Sequence, residues 1–183
     1  MPATDIAKTQ ILMTTDAMHA CLDRLARELL QRHNDCSNLA LIGIQRRGVT
    51  IASALSARMA ATLGRPVLTG SLDITLYRDD WTSQTPKPAV GETRIPFDVQ
   101  GKTLVLVDDV LFTGRTIRAA LEALADFGRP SKVELLALVD RGGRELPIHP
   151  DYIGLACETR REDRVDVLVT AFDGEDSVRL VLA

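Results

Sequence analysis

Three polar turns in this chain, each directly behind an apolar run, carry residue types suited to phosphate and sugar chemistry. The richest follows Thr103–Val107 and places two adjacent carboxylates, Asp108 and Asp109, a few residues before Thr113-Gly114-Arg115-Thr116. The hydroxyls of Thr113 and Thr116 can donate hydrogen bonds, and Gly114 lets the backbone approach a ligand closely. A helix opening behind them aims its free N–H groups and positive dipole end at the same spot, which suits an anion, most simply a phosphate. Two carboxylates beside a phosphate conflict unless something lies between them. A sugar resolves this, with vicinal hydroxyls toward the acids and the 5-phosphate toward the helix; a hydrated Mg2+ held by substrate oxygens fits the same surroundings. Asp108 and Asp109 would otherwise be capping or solvated loop residues, a reading that their position behind a buried strand disfavours. No GxxxxGK[ST] is present, so an ATP-cleaving P-loop is disfavoured as well.

The second turn, Gln45-Arg46-Arg47-Gly48, follows Leu39–Ile44, and its two arginines suit a diphosphate through their fixed fork geometry. The third, Asp140-Arg141-Gly142-Gly143-Arg144-Glu145, follows Lys132–Val139 and offers backbone groups to a planar base. All three turns need the same scaffold. Aliphatic runs without polar alternation are the mark of parallel strands covered on both faces, and ligands in such sheets lie beyond the carboxyl ends of the strands. The fold class is therefore α/β, an open and mainly parallel sheet flanked by helices.

The remaining elements follow from periodicity. Residues 1–10 are polar and read as loose. A helix spans Thr15 or Asp16 to Arg32, with Met18, Cys21, Leu22, Leu25, Ala26, Leu29 and Leu30 on its apolar side. A second helix covers Val49–Leu63, and Val67–Leu76 reads as a strand. The long polar stretch 77–94 reads as a lid, a connection of a length that is uncommon unless functional or disordered. Tyr152–Leu155 is a further strand. Val165–Phe172 and Val178–Leu182 read as a pair joined by a hairpin turn at Asp173–Asp176.

Whole-chain quantities narrow the function classes. The 183 residues fit one domain, 1–183, with an ordinary 45% apolar and 26% charged content. A net charge of −3 gives no global basic field of the kind that announces nucleic acid. Three cysteines, Cys21, Cys36 and Cys157, lack zinc-site or redox spacing and read as free thiols in a reducing compartment. No stretch has the length or flanks of a membrane span or a secretory signal, so a cytoplasmic location is expected.

The string VLVDDVLFTGRT resembles the phosphoribosyl-diphosphate (PRPP) signature of type I phosphoribosyltransferases, over residues 104–116. DITLYRDD at 73–80, VDDVLFTGRTIRAALEAL at 107–124 and LVDRGGRELPIHPDYIG up to 154 are similar more narrowly to the PyrR family, pyrimidine operon regulators with uracil phosphoribosyltransferase activity. The resemblance implies a type I phosphoribosyltransferase fold and the reaction of uracil with PRPP to give UMP and diphosphate, with Mg2+ carried by PRPP rather than by a dedicated protein site. It implies that Asp108 and Asp109 hold the ribose, Thr113, Gly114, Arg115 and Thr116 the 5-phosphate, and Arg46, Arg47 and Gly48 the diphosphate. Val139, Asp140 and Arg141 would meet uracil largely through backbone, while Tyr77, Arg78 and Asp79 belong to the lid, Arg78 with a catalytic role.

The family's second activity, UMP-dependent binding of leader mRNA in transcription attenuation, implies RNA as a partner, with Arg24, Arg27 and Arg144 as candidate contacts. Here the sequence departs from the family pattern. Gly143 stands where relatives often have His, and Asp23 and Arg27 stand where they have Thr and His. Asp23 adds repulsion toward phosphate, Gly143 lacks a donor, and Arg27 offers a replacement contact. The resemblance also implies a homo-oligomer, a dimer or a tetramer of dimers. The competing readings are a UMP-sensing RNA-binding regulator with little catalysis, and a phosphoribosyltransferase for a purine or orotate. RGGRELPIHPDY disfavours the latter.

Overall fold

The computed structural model describes residues 9–79 and 91–183. In chain order the elements are β1 (Thr9–Met13), α1 (Thr15–His33), β2 (Leu39–Ile44), α2 (Arg47–Leu63), β3 (Leu68–Leu72), a 3-10 turn (Thr75–Tyr77), β4 (Thr103–Leu111), α3 (Arg115–Ala125), β5 (Lys132–Asp140), β6 (Tyr152–Ala156), β7 (Arg164–Leu168), α4 (Thr170–Asp173) and β8 (Ser177–Val181).

The central sheet is fully parallel, in the order β3-β2-β4-β5-β6. Its strands alternate faces with period two. Leu41, Val105, Val107, Leu136 and Leu138 face a core completed by Leu25 and Leu29 of α1 and by Leu55 and Met59 of α2. Ala40, Ile42, Leu104, Leu106, Leu135 and Ala137 face the opposite core, with Ile117, Ala120 and Leu124 of α3. Burial on both sides explains why β2 is aliphatic or Gly at every position and buried throughout. The expected open parallel α/β sheet is thus the observed one.

A second sheet, antiparallel in the order β1-β8-β7, adds Val165, Val167 and Val178 to the α1 and α2 side of the core. Residues 9 and 10, expected to be loose, belong to this sheet, and Thr9 pairs with Val181. The expected hairpin at residues 173–176 is replaced by α4, which turns the chain between β7 and β8 and leaves Phe172 exposed. The strand expected over 67–76 stops at Leu72. There Asp73 accepts hydrogen bonds from the N–H and hydroxyl of Thr75, at 2.8 and 2.5 Å, and bends the chain into the 3-10 turn. No helix among the described residues is long and apolar enough to cross a membrane.

At the amino end of β5, Glu134 is buried, with only 1% of its surface exposed, and collects a polar cluster. Tyr152 Oη donates to it at 2.8 Å, His33 Nε2 lies 2.9 Å away, and Lys132 Nζ reaches its second oxygen at 2.5 Å. Burial alone would raise this carboxyl's pKa; the hydrogen bonds from Lys132, Tyr152 and His33 outweigh it and hold the pKa below the usual range.

Candidate active site

The three polar turns emerge at the carboxyl ends of adjacent strands. Register fixes this: Gly43 of β2 pairs with Val107 of β4, Leu111 of β4 with Asp140 of β5, and Asp140 with Ala156 of β6. Asp108 and Asp109 were expected beyond the end of their strand. They lie within β4, which continues to Leu111 because its pairing with β5 continues to Asp140.

The two acids differ in environment. Asp108 is 5% exposed and accepts the N–H of Asp109 at 3.0 Å, whereas Asp109 is partly exposed and accepts the N–H of Val110 at 2.8 Å. Burial, with Asp109 beside it, pushes the Asp108 carboxyl well above the usual carboxylate range. Asp109 is therefore the more accessible carboxylate, and Asp108 resists ionising. No group of three or more metal-ligating side chains is assembled among the described residues.

The turn expected to receive the phosphate does open a helix, α3, directly behind Gly114. Gly114 sits at the N-cap of α3 with φ 93°, a left-handed conformation that glycine adopts without strain. Leu146 and Ile148 close in on it, so a Cβ there would stand within 3.3–3.4 Å of their side chains. Thr113 and Thr116 line a cavity of about 230 Å3 with Arg78, Asp79 and Arg115. Arg115 is turned toward acids: Asp79 Oδ2 at 2.5 Å and Glu145 Oε2 at 2.9 Å. Its guanidinium holds both carboxyls below their usual range. Glu145 was quoted in the sequence motif without a role, and only the fold reveals its partner.

In the diphosphate turn the peptide between Gln45 and Arg46 is cis, and Arg46 is exposed. Arg47 is not directed at a ligand. It forms a forked ion pair with Asp173 of α4, at 3.0 and 3.1 Å, and its Nε is buried without a partner among the described residues. The N–H of Val169, together with Arg47, holds the Asp173 carboxyl below its usual range. Gly48, placed in the first turn of α2 rather than ahead of the helix, lies against the backbone of β4.

The third turn is built around two arginines. Arg144 is a staple: it donates to the carbonyls of Ile148, Phe112 and Gly142 and to Asp140 Oδ2, at 2.9, 2.9, 3.2 and 2.7 Å. Buried Arg141 donates to Thr159 Oγ1 and the Arg160 carbonyl, both at 2.8 Å, and stacks on the Phe112 ring with its guanidinium carbon 4.0 Å from the centroid. Its own N–H is taken by the Leu111 carbonyl at 3.1 Å. Asp140 lines a cavity of about 370 Å3 with Gly142, Ala156, Cys157 and Glu158, beside fully buried Val139.

The other expected residues divide clearly. Tyr77 donates its hydroxyl to Asp126 at the end of α3, which fastens the start of the expected lid. Of the rest of that lid, Arg78 and Asp79 line the cavity at Thr113, residues 91–94 are held to the end of β3, with Ser71 and Arg94 exchanging backbone bonds at 2.8 Å, and residues 80–90 lie outside the described residues. Arg24 is engaged by Glu28 and by the carbonyls of Ile153 and Gly154, at 2.6, 2.9 and 2.7 Å. Arg27 is exposed on α1, with no ion pair among the described residues, while Asp23 is taken by Arg58 at 2.7 Å. All three cysteines are free.

With a parallel sheet whose carboxyl edge gathers a carboxylate pair, a glycine-capped helix start and an arginine turn, the chain belongs to the phosphoribosyl transferase domain family, which it matches over residues 12–170. Inside that family it groups with the PyrR proteins. It is 50% identical over 175 residues to the bifunctional protein PyrR of Desulfosudis oleivorans, covering 95% of this chain and 97% of the relative. It is 47% identical over 173 residues to that of Elusimicrobium minutum, covering 94% and 97%. Among solved structures, a hypoxanthine phosphoribosyltransferase of Trypanosoma cruzi superposes with a TM-score of 0.71, covering 96% of this chain and 97% of that one. At 14% identity this likeness speaks for the fold alone.

Proposed function

We propose that the protein transfers a phosphoribosyl group from PRPP to uracil, giving UMP and diphosphate, and that it also acts as a UMP-responsive regulator on pyrimidine leader mRNA. The observation that carries the enzymatic part is the convergence of the Asp108-Asp109 pair, the Thr113–Thr116 helix start and the Arg46 turn at one sheet edge. Its extent of identity to bifunctional PyrR proteins supports the choice of base and the second activity.

In this reading Asp109 accepts the ribose hydroxyls, with Asp108 behind it, and the N–H groups opening α3 receive the 5-phosphate alongside the hydroxyls of Thr113 and Thr116. Arg46 faces the diphosphate, and Gly48 sets how close that turn comes. The cavity beside Asp140, at the strand end formed by residues 139–141, takes the base. The bond from ribosyl C1′ to diphosphate oxygen breaks as the bond to uracil N1 forms, and the N1 proton leaves with the products. The ribosyl centre turns cationic while negative charge gathers on diphosphate, so the chain contributes positioning and electrostatics rather than a nucleophile. Mg2+, held by PRPP oxygens within reach of Asp109, would neutralise the departing charge. Arg78, on the wall of the cavity at Thr113, would supply a closing contact to PRPP.

For RNA, exposed Arg27 is the contact we favour, while Arg24 and Arg144 act by shaping their surroundings. The test is UMP formation from uracil and PRPP with Mg2+, run beside orotate, hypoxanthine and guanine. Turnover confined to uracil supports the proposal. Tight UMP binding without turnover moves the regulator to first place, and salt-dependent binding to leader RNA then measures that role.

A further inference from the structure

Arg115 stands in the phosphate turn, yet two of its donor groups are directed at carboxylates from different parts of the chain. Asp79 follows the 3-10 turn and Glu145 belongs to the loop after β5. The network extends outward, with Arg161 reaching the second oxygen of Glu145 at 2.9 Å and Arg118 lying 3.8 Å from Asp79. Backbone reinforces one of the two links, because the Thr113 carbonyl accepts the N–H groups of Glu145 and Leu146 at 3.0 and 3.1 Å. No such backbone bond joins Asp79 to the phosphate turn among the described residues. Beside the Tyr77–Asp126 bond and the longer Arg118–Asp79 pair, which tie that segment to α3, the Arg115 side chain is the close polar tie from Asp79 to the phosphate turn, on a cavity wall shared with Arg78, Thr113 and Thr116.

A guanidinium already matched by two carboxylates has little charge to offer a phosphate. Its planar fork can serve two acids at once, which an ammonium on a single flexible stem cannot do equally well. We infer that Arg115 is a positioning residue: bridged by Asp79 and Glu145, it sets the spacing between the phosphate turn, Arg78 and the loop after β5, and it does not bind the 5-phosphate through its side chain. This rests on the phosphoribosyltransferase reading above and refines it, leaving phosphate recognition to the backbone N–H groups and to the hydroxyls of Thr113 and Thr116.

PRPP with Mg2+ is titrated calorimetrically into the wild-type chain and into Asp79→Asn, Arg115→Gln, Arg115→Lys and the Asp79→Asn/Arg115→Gln double variant, with KM and kcat measured in parallel. Each single amide substitution is expected to weaken PRPP binding about 3- to 5-fold and to raise KM rather than lower kcat, the scale of an exposed ion pair. The double variant should bind no more weakly than the weaker single, since both changes remove one bridge. Arg115→Lys should recover part of the loss. Tighter PRPP binding by Asp79→Asn, unchanged binding, or losses that multiply in the double variant would overturn the inference, because Arg115 would then act on phosphate directly or not at all. Calorimetry needs no base, so inactivity toward uracil alone would count against the substrate reading and leave the bridge tested. A wild-type chain that binds no PRPP would remove the phosphate site and the bridge's role together.

Discussion

Gly48 backs onto the carbonyl oxygen of Val107: a Cβ at this position would stand 2.3 Å from that oxygen, a separation at which backbone must move. The contact sets how closely the diphosphate turn approaches the strand that carries the acids. Gly48→Ala should therefore cost about 1–3 kcal/mol of stability, as overpacking does. It should also raise the KM for PRPP at least tenfold, since Arg46 and Arg47 shift with the turn. Chemical denaturation and initial rates on the same preparation check both; a variant with wild-type KM would separate the turn from diphosphate binding.

Asp108 is a carboxyl buried beside a second one, at a cost in stability near neutral pH. Its pKa is raised in the folded protein by burial and by Asp109, so the native state binds a proton more tightly than the unfolded chain does. The sign follows: stability contributed by this group is greatest at low pH and declines as pH rises from the ordinary carboxylate range toward the raised folded value. Asp108→Asn keeps an acceptor for the Asp109 N–H and removes the charge. Its Tm near neutral pH should rise by about 2–4 °C, the change that ~1 kcal/mol brings in a chain of this size. Together with Asp109→Asn it should abolish turnover while the fold persists. Thermal melts from pH 4 to 8 should show the gain shrinking toward acid.

Glu134 has the opposite sign. Its pKa is lowered, so the stability it contributes is present above the ordinary carboxylate range and is lost as pH falls through the depressed value. Glu134→Ala would leave Tyr152, His33 and Lys132 facing a buried gap and should cost about 2–4 kcal/mol. Glu134→Gln retains part of the hydrogen bonding and should cost less. Denaturant midpoints at pH 7 and pH 3.5 should differ between wild type and Glu134→Ala by less at the lower pH. The site lies at the far end of β5, so KM for PRPP should stay at its wild-type value.

Gly143 is a position where a side chain meets an obstacle. Its φ of 71° disfavours a side chain, and a Cβ there would stand 2.3 Å from the ring of Phe112, which Arg141 covers from above. Gly143→His should cost about 1–3 kcal/mol through strain and overpacking. Paired with Phe112→Ala, which clears the ring, it should cost less than the sum of the two single changes. Differential scanning of the three variants checks this coupling.

The parts of the fold that were legible in the sequence are those whose signal is local. The aliphatic runs of β2, β4 and β5 need burial on both faces, and the 3.6-residue spacing along α1 needs one apolar side, so neither depends on distant partners. The Thr113–Thr116 turn was readable for the same reason. β1 was missed because Thr9 and Gln10 are exposed and polar, and its strand character comes only from β8, far along the chain. The pairing of Arg47 with Asp173, and of Arg115 with Asp79 and Glu145, was invisible on the same grounds: a charged residue's sequence neighbours do not reveal which opposite charge the fold brings to it. That α4 interrupts the expected hairpin follows from Asp173 and Asp176 accepting the N–H groups of Val169 and Thr170, side-chain bonds that no hydrophobic pattern encodes.

The pairing of β1 with β8 joins residues 9–13 to residues 177–181. The five parallel strands lie together in the chain between β2 and β6, whereas the antiparallel sheet joins segments from either side of them. Asp173, in the connection between β7 and β8, holds Arg47, so the turn after β2 takes its anchor from the antiparallel sheet. The antiparallel sheet thus acts as a brace on the Arg46-Arg47 turn of the parallel one.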